Sequence, residues 1–262
     1  MKIIKYHYVR DFTEKKSLHL KGLDYRKFDY QLNYLQSNFN ILDPLTAHKK
    51  ILLKDFDPYD CWLTFDDGYT DHYKFVYPIL KKYNVYATFY PTIAPLLSNR
   101  LLKVNKIHYI LASTKNKKDI YNRIKFYYKE FELKNKKLIT INDVEKILIK
   151  HLRGLKSIHR WDNDEVIKIK RLLQFALPNE VRDYVCDKLF DEFVDYDEEE
   201  LAASLYMNIN NLIELKENGH EIGIHGMNHL RWATLNLEGQ EQEIITSYRF
   251  LKEKKLIDDN FS

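Results

Sequence analysis

The chain has 262 residues, 45% of them apolar and 14% aromatic, which excludes a disordered polypeptide and suits one large domain or a domain with an insertion. Its 42 basic and 38 acidic residues leave a net charge of +4, too mild a balance to mark a nucleic-acid binder. The two cysteines, Cys61 and Cys186, lie in apolar contexts and read as buried thiols, which excludes a disulfide framework.

In chain order, residues 1–9 hold no apolar core long enough for a signal peptide, and no later stretch is long enough to span a membrane. A cytoplasmic location is the expectation. His7 follows a strand-like run and is read as structural. Tyr25, Phe28, Leu32 and Leu35 recur at helical spacing, predicting a helix over 24–38. Ile41 with Leu42, and then Ile51 to Leu53, predict short strands. Pro58 to Asp60 turn the chain into an apolar strand over 61–67, followed by a helix over 73–84 interrupted near its start by Pro78, and a strand over 85–91. Strand, helix and strand at this spacing imply parallel pairing with a crossover helix.

From 98 to 205 the pattern changes to Lys-rich amphipathic segments. Helices are predicted over 104–112, 118–131, 142–152, 163–175 and 178–193, the last with Pro178 in its first turn. His108, His151 and His159 lie here without a spacing that favours metal. A helix over 208–218 closed by Gly219, a strand over 221–224 and a helix over 236–255 follow.

Two clusters carry chemistry. The strand Cys61-Trp62-Leu63-Thr64-Phe65 ends in Asp66-Asp67-Gly68. Neighbouring acids on a regular strand point to opposite faces, but Gly68 permits a tight turn that brings both to one site. Two like charges held that close call for a cation beside them; a plain capping turn is the alternative reading. Far along the chain, His225 and His229 are four residues apart, a spacing that lets two imidazoles face one point. Asp plus two His leaves coordination positions open for water, the pattern of a catalytic centre.

Thr64-Phe65-Asp66-Asp67-Gly68 resembles the first motif of the polysaccharide deacetylases, carbohydrate esterase family four. His225-Gly226-Met227-Asn228-His229, preceded by Gly219-His220-Glu221-Ile222-Gly223, resembles the second, while Ala87 to Tyr90 and Tyr6 to Val9 resemble two of the family's strands. The resemblance implies an α/β fold, an incomplete or distorted (β/α) barrel with a large helical insertion. Its parts are an N-terminal part of the barrel over 1–97, the insertion over 98–205 and a continuation over 206–262. It implies that Asp66 is the general base and that Asp67, His225 and His229 hold a divalent metal, zinc first, with manganese or cobalt suited to the same ligands. Gly226 stands where the family usually has a Ser or Thr supporting the ligand histidine.

The family's third motif and its late Leu-x-His, which supplies the general acid, find no counterpart before Ser262. A truncated domain is therefore expected. A dimer mate or another chain would then complete the barrel, or the chain's own N-terminal and inserted elements would replace the missing strands. The function expected is removal of an N-acetyl or other acyl group from a sugar of a surface polysaccharide or its precursor. The alternative is a catalytically impaired homologue that binds glycan or serves as a scaffold. The expected partner is a carbohydrate, without nucleic acid.

Overall fold

The computed structural model describes residues 1–13, 20–135, 146, 149–150 and 162–258. The chain divides into two compact units, one taking the chain up to Arg100 and again from Glu198, the other taking Leu101–Asp197, with the short piece Leu18–Leu20 assigned to the second. Among the described residues no helix is long and apolar enough to cross a membrane.

The first unit is built on a parallel sheet. Its strands are β1 (Lys2–Tyr6), β4 (Asn40–Ile41), β5 (Asp60–Asp67), β6 (Thr88–Pro91) and β7 (Glu221–Ile222), while β2 (Val9–Arg10) and β3 (Leu23–Asp24) pair separately. The order across the sheet is β1-β5-β6-β7, with β4 also paired to β5. All these pairs are parallel, so every strand of the sheet delivers its carboxyl end to the same edge. Among the described strands the sheet is open; a closed barrel is not seen.

Register is set by side chains that stack from strand to strand. Tyr6 lies opposite Phe65 and Phe65 opposite Phe89. Their rings stack at 5.2 and 5.0 Å, and Phe28 meets both Tyr6 and Phe65 edge-on. Each aromatic pair contributes about 0.5–1.5 kcal/mol beyond its burial, so a slipped register loses the ladder and exposes it at once. On this face the helix Tyr25–Asn38 buries Phe28, Leu32 and Leu35, the period the sequence predicts, and its start is capped by the Asp24 carboxylate accepting from the Arg26 N–H.

Successive residues of a strand alternate faces, so Trp62, Thr64 and Asp66 of β5 and Thr88 and Tyr90 of β6 point the other way. That face is polar. The Trp62 indole donates to Thr88 Oγ1 at 3.1 Å, and the Thr88 hydroxyl donates to Glu221 at 3.1 Å. His48 covers this network, 3.2 Å from the same Glu221 oxygen.

His48 belongs to the helix Pro44–Leu53, which corrects the strand expected at Ile51 to Leu53. Asp43 accepts from the Thr46 N–H and Pro44 occupies the first turn, so a capped start decides for helix over a three-residue apolar run. Pro78 interrupts its helix as expected: the segment opens as a widened π turn over His72–Val76, with the Tyr77 N–H reaching His72 O, before regular helix over Tyr77–Lys82. A proline lacks the N–H that a regular turn would use, and the wider turn accommodates it.

The second unit is helical. Its longer described helices are Lys103–Ser113, Lys117–Lys134, Asp164–Arg171 and Asn179–Phe193, burying among others Ile107, Ile110, Ile120, Ile124, Val185 and Leu189. Apart from residues 146, 149 and 150, the helix expected over 142–152 lies outside the described residues, as do His151 and His159. The helix Glu198–Leu205 belongs with the first unit.

Candidate metal centre at the carboxyl ends of the strands

In open parallel sheets, ligands bind beyond the carboxyl ends of the strands, and the acid pair stands there. Asp66 and Asp67 close β5, opposite Tyr90 and Pro91 of β6. Asp67 leaves the strand with φ 74° and Gly68 follows at φ 70°. These two left-handed residues make the turn that closes the strand beside the acid pair. A Cβ at Gly68 would lie 2.9 Å from Pro91 Cβ and 3.0 Å from Pro91 Cα, so space as well as backbone angle requires glycine.

The histidines arrive from the loop after β7. His225 Nε2 and His229 Nε2 each lie 3.1 Å from Asp67 Oδ1. One ligand atom from each of the three residues falls within 4.8 Å of the others. Ligands about 2.1 Å from a tetrahedral ion sit roughly 3.4 Å from one another, so the set fits a small divalent cation. His229, like Asp67, holds a positive φ, 54°, outside glycine's usual preserve. Two ligand candidates in a sparsely populated backbone region indicate that the surrounding structure fixes them there.

The electrostatics agree with the geometry. Burial works against the ionised form of Asp67, yet the hydrogen bonds from His225 and His229 outweigh it and hold the carboxyl well below the usual range. The same hydrogen bond to Asp67 raises His229 above the ordinary histidine value.

Asp66 faces a different set. Lys5 Nζ lies 3.6 Å and His7 Nε2 3.9 Å from Asp66 Oδ2. Both come from the carboxyl end of β1, where alternation puts residues 5 and 7 on the face opposite Tyr6. Burial lowers the His7 pKa even though Asp67 and Asp66 pull the other way. The carbonyl of His7 is 2.6 Å from Nε2 of His72, which is fully buried. Burial pushes His72 down to about 4, so its ring is neutral and Nε2 donates. His7, read as structural from the sequence, therefore stands beside the candidate base. Lys5 was not legible as a site residue, because only the β1–β5 register brings it there.

Met227 N–H and Asn228 N–H both donate to Glu243 Oε2 at 2.9 Å, and the Asn228 amide donates to Oε1 at 2.8 Å. Gly226, at φ 91°, would place a Cβ 3.0 Å from that same Oε2. The glycine that departs from the family's Ser or Thr is thus the residue that gives this carboxylate room.

An acid and two imidazoles thus converge beyond the strand ends of an α/β sheet, a group of side chains that could hold a metal ion. The family model described as polysaccharide deacetylase matches residues 54–108. The curated Bacillus subtilis (strain 168) protein named "Putative polysaccharide deacetylase YxkH" is 41% identical over 68 residues, which are 25% of this chain and 24% of that relative's length. Among solved structures, the Streptococcus pyogenes deacetylase PplD, in complex with acetate, aligns with a TM-score of 0.51 and 14% identity over 97% of this chain and 68% of that one, a likeness of fold. The sequence likeness to the polysaccharide deacetylases thus lies in a limited part of the chain that includes the Asp66-Asp67 strand, and the match to the solved structure adds a likeness of fold.

Proposed function

We propose that the protein is a metal-dependent carbohydrate deacetylase that hydrolyses an N-acetyl or related acyl amide on a sugar of a surface polysaccharide or its precursor. The observation that carries the reading is the pair of 3.1 Å approaches of His225 and His229 to one oxygen of Asp67. In this reading Asp67, His225 and His229 hold the cation, zinc being favoured by the two imidazoles with manganese or cobalt as substitutes. A bound divalent ion supplies Lewis acidity, lowering the pKa of water from about 16 towards roughly 7 and polarising the acyl carbonyl.

The chain's own residues do the rest. Asp66, outside the ligand set, accepts the proton of the attacking water, and Lys5 and His7 hold its carboxylate in place. The C–N bond then breaks, acetate departs as the acid product, and the sugar nitrogen leaves as an amine. Its proton is returned by Asp66 or supplied by the neighbouring Lys5 or His7.

The test is acetate release from N-acetylated oligosaccharides with zinc, manganese or cobalt added, compared with Asp66→Asn. Metal-dependent release abolished in Asp66→Asn supports the reading. Metal and glycan binding without release would leave the non-catalytic glycan-binding alternative.

A further inference from the structure

The loop between the two histidines is held from both sides. On one side Ile93 N–H donates to Gly226 O at 3.3 Å and Ala94 N–H to Met227 O at 2.8 Å. On the other stands the helix Leu237–Glu253, whose start is capped by Asn236 accepting from Gly239 N–H at 2.9 Å. Glu243, Ser247 and Leu251 are its buried residues, spaced four apart and so on one face. Leu251 is fully buried in the core, and Glu243, 5% exposed, is the polar end of that stripe.

A carboxylate this buried needs donors, and it finds three, all from Met227 and Asn228. Those residues are the middle of the five-residue run His225 to His229. Both backbone N–H groups point to one oxygen, which fixes the peptide planes on either side of Met227. Gly226 at φ 91° and His229 at φ 54° are the bends that such a fixed centre imposes on the flanking residues.

We propose that Glu243 is a positioning residue for the cation site: by clamping Met227 and Asn228 it sets His225 and His229 against Asp67. Glu243 takes on the supporting role that Gly226 cannot perform. A ligand histidine misplaced by a fraction of an ångström loses its bond to the ion, and removing such supporting partners commonly costs about 10- to 100-fold in metal affinity. The inference rests on the ligand assignment made under Proposed function.

The test uses the full chain and cobalt(II), read by competitive titration and by the visible d–d absorption, which reports ligand geometry without turnover. Glu243→Gln replaces one acceptor with a donor facing the Asn228 amide. We expect it to weaken cobalt binding by about 10-fold or more and to change the d–d bands. Adding Asn228→Asp restores an acceptor opposite the new amide, so the double variant is expected to recover most of the affinity and the spectrum. Asn228→Ala, at an exposed side chain, is expected to weaken binding a few-fold and decides the matter should Glu243→Gln fail to fold.

A folded Glu243→Gln with unchanged affinity and spectrum overturns the proposal, even if its thermal stability falls. So does an unchanged Asn228→Ala where Glu243→Gln is insoluble. Asp67→Asn is the control that separates the two levels. Cobalt bound by the wild type and lost in Asp67→Asn, with Glu243→Gln unaffected, removes the positioning role alone; no cobalt bound by the wild type removes the ligand assignment and the positioning role together.

Discussion

His229 Nε2 lies 3.1 Å from Asp67 Oδ1, and both residues carry left-handed backbone angles that an ordinary turn would avoid. The pair tests the ligand set directly. Purified protein is expected to bind one equivalent of zinc, and Asp67→Asn is expected to lower its affinity by more than about 100-fold, since loss of an outer partner alone costs about 10- to 100-fold. Metal content by atomic absorption after dialysis checks this; full occupancy in the variant refutes the assignment.

The same contact predicts a pH dependence of metal binding. Hydrogen bonding to Asp67 raises His229 above its ordinary value, so in the metal-free protein this imidazole stays protonated to higher pH than a free histidine. Protons compete with the metal below that raised value. Zinc affinity should therefore fall as pH drops through that raised value, with proton release on binding visible by calorimetry in buffers of different ionisation enthalpy. A flat affinity across that value would count against His229 as a ligand.

Much of this centre was readable because its parts are local patterns. Asp66-Asp67-Gly68 and the spacing of His225 and His229 are each short, and a strand before each supplies direction. The helix bearing Phe28, Leu32 and Leu35 was equally legible from its period. What escaped depends on which elements become neighbours. Lys5 and His7 meet Asp66 only through the β1–β5 register, and Glu243 meets Met227 only once its helix docks. At Ile51 to Leu53, three apolar residues fit either period, and the deciding signal lay upstream in Asp43 and Pro44.

Stability should fall in mild acid. Burial holds His72 at about 4 and His220 at about 4, against an ordinary value near 6.5. Below pH 6.5 the unfolded chain takes up protons that the folded one refuses, so the contribution is full above 6.5 and is lost as pH falls towards 4. A fully buried group displaced this far is worth about 3 kcal/mol across the window. Urea unfolding between pH 7 and 4.5 should show this slope, and His72→Phe should reduce it by roughly one proton, about 1.4 kcal/mol per pH unit. An unaltered slope would mean His72 is not buried neutral.

Gly68→Ala tests the turn that follows the two acids. The added methyl meets Pro91 Cβ at 2.9 Å and must accept φ 70°. Left-handed backbone costs a residue about 1–2 kcal/mol and overpacking about 1–3 kcal/mol more. A loss of about 2–5 kcal/mol in denaturant unfolding is expected, together with weaker zinc binding, because Asp67 sits on the displaced turn. Wild-type stability would show that Pro91 yields to the methyl without cost.

Phe65→Ala links the core to the chemistry from the opposite side of β5. Phe65 is fully buried, stacked between Tyr6 and Phe89 and met edge-on by Phe28, and it immediately precedes Asp66. Truncating a buried phenylalanine costs about 3–5 kcal/mol, part of it for the cavity left behind. Because the ladder Tyr6–Phe65–Phe89 sets the register of β1 and β6 on β5, its loss should also loosen the placement of Lys5 and His7 against Asp66. Phe65→Leu, which refills most of the volume, should recover much of the stability but not the stacking. Unfolding midpoints and acetate release measured on both variants separate the two effects. Stability that returns in Phe65→Leu while activity stays low would show that the aromatic ladder aligns the site as well as filling the core, and equal recovery of both would show that volume alone is what Phe65 supplies.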